Sequence, residues 1–120
     1  HGEEHGKTLV AANHYATSLV RLDRFEEART LVRKTLPVAR RVLGESDART
    51  LRMRWLYANA LYGSGALDDI REAVETLESV ANSWTRVFGN SHPETLQIKN
   101  ALATARATLR AREMPPAGSA

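Results

Sequence analysis

The chain opens on HGEEHGKTLV, and two spacings within it could do chemistry. Gly6-Lys7-Thr8 matches the end of G-x-x-x-x-G-K-[ST], a loop whose backbone N–H groups and lysine hold phosphates while its hydroxyl serves a metal. His1 and His5 stand four apart with Glu4 between them, the H-x-x-E-H spacing that turns two imidazoles to one side of a helix for zinc. Neither pattern is complete. The phosphate loop needs glycine where His1 stands, with Gly2 one place late, and it needs a preceding strand for which there is no room. The zinc pattern lacks an evident third ligand and a supporting shell. Serine, histidine and aspartate elsewhere form no nucleophile motif. The expectation is a chain with no catalytic residues, no metal site and no cofactor: not an enzyme.

Comparison of the sequence with itself accounts for the same residues differently. GEEHGKTL from Gly2, GESDARTL from Gly44 and GNSHPETL from Gly89 share the frame G-x-x-[HD]-x-x-T-L, and His5 is then the counterpart of Asp47 and His92. FEEARTLVRKTLPVARRVLG precedes the second frame as IREAVETLESVANSWTRVFG precedes the third, so that Ala28 matches Ala73 and Val42 matches Val87. A frame that recurs at a nearly constant period marks a structural repeat. Its physics is that of punctuation between helices. Gly44 and Gly89 follow apolar-periodic segments, where a left-handed glycine closes a helix. Asp47, and His92 followed by Pro93, suit the helix start that comes next. Within the units, Asp23 with Glu26 three residues on reads as a second helix start, and GSGALDD as a turn before Asp68 and Asp69.

The elements that must carry these residues are five helices, over about 6–21, 24–43, 47–62, 68–88 and 92–112, from apolar residues at three- and four-residue spacing and no strand-like alternation. Ala16, Ala28, Ala58 and Ala73 are expected at the closest helix approaches, Pro37 is expected to bend or interrupt the second helix near Leu36, and Trp84 with Phe88 to pack on the fifth. Each helix pair has more apolar face than it can hide alone, so stacking pairs gives an all-α solenoid.

The 120 residues are one domain's worth of chain. Seventeen Lys and Arg stand against fourteen Asp and Glu, interspersed rather than gathered in a stripe, which argues against nucleic acid as the main partner. Apolar runs are too short to insert in a membrane. There is no cysteine, which excludes disulfides and thiolate metal sites. A start at His1 rather than Met suggests a fragment or processed product.

The residues HPETL, NHYA, RFEEARTLVRKTL and RRVLG together resemble the 42-residue tetratricopeptide (TPR) repeats of the kinesin light chain type, and LRMRWLYANALY with LDDIREAVETLE is similar to divergent TPR proteins abundant in marine microalgae. The resemblance implies a short right-handed α-solenoid over 1–112: repeat 1 at about 2–43, repeat 2 at 44–88, a final half repeat at 89–112, and a flexible tail at 113–120. Three features depart from it. The second unit carries three extra residues, Arg54 replaces the small Ala12 of the first, and Arg106 stands where Leu61 leads one to expect an apolar residue. The last helix is therefore expected to be a solvent-facing cap or a surface that another segment covers.

By the same resemblance the first helix of each pair lines a concave groove, at Val10, Asn13, Thr17 and Val20, then Arg52, Trp55, Asn59 and Tyr62, then Gln97, Asn100 and Thr104. Asparagine amides can bond both peptide N–H and C=O, Arg52 can pair with a carboxylate, and the aromatics supply contact area, although Trp55 equally suits the core between repeats. The implied function is a non-catalytic module binding a peptide or helix of another protein. The alternative is a structural or accessory subunit, or a piece of a longer array, in a homo-oligomer or larger assembly. The TPR resemblance leans towards a soluble, intracellular setting.

Overall fold

In the computed structural model the described residues are 2–114, with side chains from residue 6 onward. They form five helices: α1 (Gly2–Arg21), α2 (Phe25–Leu43), α3 (Ala48–Ser64), α4 (Leu67–Phe88) and α5 (Pro93–Glu113). Consecutive helices pack on one another, and α1 also packs on α3, so helix pairs stack side by side. Among the described residues there is no strand. Gly6, Lys7 and Thr8 lie inside α1 and not in a loop. The side chains of His1, Glu4 and His5 lie outside the described residues, although the backbone of α1 already starts at Gly2, earlier than expected. Residues 115–120 of the expected tail also lie outside them, whereas Glu113 ends α5 and its carboxylate meets Arg71 at 3.0 Å.

Two of the frames work as punctuation. Asp47 accepts a hydrogen bond from the Arg49 N–H at 2.8 Å, and His92 Nδ1 accepts one from the Glu94 N–H at 3.1 Å, each satisfying an orphan donor at a helix start. Gly44 and Gly89 adopt φ/ψ of 93°/161° and 82°/170°. This differs from the left-handed helical conformation expected of them, and it is more demanding, because positive φ with extended ψ is open to essentially glycine alone. The frame threonines bond back across the turn. Thr95 Oγ1 donates to Gly89 O at 2.7 Å and Thr50 Oγ1 to Ala39 O at 3.4 Å, and both threonines are buried.

The breaks inside the units are built otherwise than the sequence suggested. Asp23 is not the cap of α2; at φ 59° it closes α1, with its N–H bonded to Val20 O and that of Arg24 to Leu19 O. A short polar side chain tolerates that left-handed turn, and the start of α2 has no side-chain cap. At the other break, Gly65 is left-handed and Ser64 Oγ, donating to Asp69 at 2.6 Å, accepts from the Ala66 N–H at 3.2 Å. Helix α2 runs through Pro37 without interruption. Leu36 and Val38 on either side pack on Leu9, Ala16, Val32, Ala39 and Met53, and this burial holds the helix together across the missing N–H.

The largest core cluster lies between α3, α4 and α5. Trp84 is fully buried there with Leu51, Leu77, Ile98 and Leu102, its ring tilted against Phe88 at 4.4 Å and edge-on to His92 at 5.4 Å. Ala16, Ala28, Ala58 and Ala73 are all buried, as small residues at close helix approaches should be. Arg106 reaches Glu78 of α4 at 3.5 Å, so its charge sits at the seam instead of an apolar side chain. Leu9 and Leu51 are buried, but Leu96, their counterpart in the third frame, is 63% exposed.

Candidate functional site

A concavity of about 470 Å³ lies between α1 and α3 and reaches Gln97 of α5. Helical spacing puts its lining on one face of each helix: Val10, Asn13 and Thr17 from α1, and Arg52, Trp55 and Asn59 from α3. Six of the eight groove residues expected from sequence thus come together: Asn13, Thr17, Arg52, Trp55, Asn59 and Gln97.

The other two do not line it. Tyr62 hydrogen-bonds Thr108 at 2.8 Å, tying α3 to α5, and Asn100 is exposed away from the concavity. Val20 packs with Leu19, Ala28 and Ala60, and Thr104 is exposed elsewhere on α5. His14, Leu56 and Arg21 line the concavity and were not anticipated. A usable signal existed: positions 10, 14, 17 and 21 form an i, i+4, i+7, i+11 stripe on α1.

The polar groups are held in particular states. Asn13 donates from Nδ2 to Arg49 O at 3.3 Å, and its Oδ1 is buried without a hydrogen bond among the described residues. Thr17 donates to Asn13 O at 2.8 Å, which leaves its hydroxyl oxygen free to accept. Trp55 packs against the main core cluster and lines the concavity as well; its Nε1 is buried without a hydrogen bond among the described residues. Arg52 is already engaged: it meets Glu94 bidentately at 3.0 and 2.7 Å and lies 5.4 Å over the Trp84 ring. The hydrogen bond from Arg52 holds the Glu94 carboxyl below its usual pKa, against the opposing effect of burial. Arg21, in contrast, makes no ion pair among the described residues, and no carboxylate lines the concavity.

Helix pairs joined by glycine-bearing turns, small residues at their crossings and a recurring frame define a helical-repeat protein. The family model for the tetratricopeptide repeat matches residues 7–72, from α1 into the first turns of α4. The chain belongs to the tetratricopeptide repeat family, whose repeats generally mediate protein–protein interaction and typically are not catalytic. No curated protein and no solved structure matches it. No described helix is long and apolar enough to cross a membrane.

Proposed function

We propose that this chain, with its kinesin-light-chain-like repeat frame, is a non-catalytic interaction module that holds an extended, acidic peptide segment of another protein in the concavity between α1 and α3. The observation that carries this reading is the lining itself. An apolar floor of Val10, Trp55 and Leu56 is bordered by the amides of Asn13, Asn59 and Gln97 and by the unpaired guanidinium of Arg21. Amides satisfy peptide N–H and C=O groups in a sequence-independent way, while the cation selects a carboxylate, from a side chain or a C terminus. Arg52 acts as a fixed wall because Glu94 holds it through Nε and Nη2.

The test is fluorescence anisotropy with short acidic peptides, each with a free or an amidated C terminus, and with neutral peptides of the same length. Acidic peptides should bind more tightly, and Asn59→Ala and Arg21→Ala should each weaken them about tenfold, whereas the exposed Glu75→Ala should not. Equal binding of acidic and neutral peptides, or variants indistinguishable from the parent, would reject the reading.

A second reading, an assembly subunit, is favoured by the exposure of Leu96 and Val87 near the joint of α4 and α5. Light scattering over a concentration series separates the two: self-association that Leu96→Ser abolishes supports assembly.

A further inference from the structure

A second cleft, of about 310 Å³, opens on the opposite side of the stack, between α2 and α4 with α3 as its floor. Three guanidinium groups, Arg33, Arg40 and Arg54, line it, with Glu72 as the only carboxylate of the lining. Arg54 stands where the first unit has the small, buried Ala12, so a long charged side chain occupies the floor at a place suited to a close helix approach. Among the described residues α2 and α4 do not pack closely on one another, and Arg29 of α2 reaches Asp69 of α4 at 3.2 Å.

Arg54 is poised but not neutralised. Its Nη2 donates to the Ser79 hydroxyl at 2.8 Å, a neutral partner, and it has no carboxylate within ion-pair distance among the described residues. Burial first, and then the nearby charge of Arg40, hold its guanidinium below the ordinary arginine pKa. Glu45 is engaged by Arg40 at 2.9 Å, so that pair offsets one charge and leaves Arg33 and Arg54 against Glu72. Thr76 adds a hydroxyl on the α4 wall.

We infer that this cleft is an anion site that takes a phosphoryl group, held by Arg54 at the floor and by Arg33 at the α2 wall. Guanidinium forks match the oxygen geometry of phosphate, and a doubly charged anion suits converging cations better than a single carboxylate does. A free phosphate or a phosphorylated side chain presents the same chemistry. The site is on the face away from the proposed peptide concavity and does not depend on that reading.

The experiment is calorimetric titration of the full chain with inorganic phosphate and with phosphoserine, against acetate at matched ionic strength. Phosphate or phosphoserine should bind where acetate does not, Arg54→Ala should weaken binding about tenfold, Glu72→Gln should tighten it, and Arg86→Ala, exposed and outside both clefts, should leave it unchanged. Tighter binding of phosphoserine than of phosphate identifies a phosphorylated side chain as the source, and the reverse a free anion. Arg54→Ala restores the residue type of Ala12 and should fold, which circular dichroism checks; should it not, Arg33→Gln on the exposed wall gives the same readout. Phosphate binding no stronger than acetate binding, or undiminished in these variants, overturns the inference.

Discussion

The guanidinium of Arg52 holds the carboxylate of Glu94 through two parallel hydrogen bonds, Nε to Oε2 at 3.0 Å and Nη2 to Oε1 at 2.7 Å. The pair joins α3 to α5 near their starts, as Tyr62 and Thr108 join them further along. Because both side chains are partly solvated, water screens the pair, and breaking it should cost about 0.5–1 kcal/mol. A double-mutant cycle of Arg52→Met and Glu94→Gln in urea should return a coupling energy of that size; strict additivity would show that the pair contributes nothing.

The same contact sets a pH dependence. Glu94, through Arg52, and Asp47, through Arg49, are both held below their ordinary values of 4.5 and 3.8. A carboxylate with a depressed folded pKa contributes stability that is present in full above its unfolded pKa and lost as pH falls through the folded one. Unfolding free energy should therefore fall as pH drops from about 5 towards 2. Glu94→Gln combined with Asp47→Asn should flatten that limb, which denaturant titrations across the range would reveal.

Glycine substitutions should separate backbone strain from crowding. A Cβ at Gly89 meets nothing within 4 Å, so Gly89→Ala should lose about 1–3 kcal/mol through its backbone angles alone. Gly63 is helical, where alanine is intrinsically better, but its Cβ would come within 2.4 Å of the Phe25 ring. Gly63→Ala should destabilise the wild type and become stabilising in a Phe25→Ala background. Thermal melts of the four combinations test the reversal.

Core packing gives a larger effect. Ala58 is fully buried in the core cluster that α3 shares with α4, and Ala58→Leu should cost about 1–3 kcal/mol by overpacking. Trp84→Ala should cost about 3–5 kcal/mol by leaving a cavity. Urea midpoints of the purified variants give both numbers, and an Ala58→Leu protein as stable as the parent would show that the crossing is looser than its burial implies.

Helix order and most cap residues were legible because they depend on neighbours in sequence: Asp47, His92 and Pro93 act within one turn of backbone, and the three- and four-residue apolar spacing states which side of a helix must be hidden. The internal repeat then showed which helices pair, and the likeness to tetratricopeptide repeats implied most of the concavity's residues. Tertiary packing decided the rest. Whether Asp23 caps the helix after it or closes the one before it depends on where the chain must turn, and the fold chose closure. Tyr62 is in line with Trp55 and Asn59 in any helical projection, yet Thr108, forty-six positions on, draws it to α5. Arg52 was expected to pair with a carboxylate of a bound peptide, but the stacking of α5 brought Glu94 to it instead. Local periodicity tells which way a side chain points along its own helix; it carries no information on which distant partner has already taken its donors.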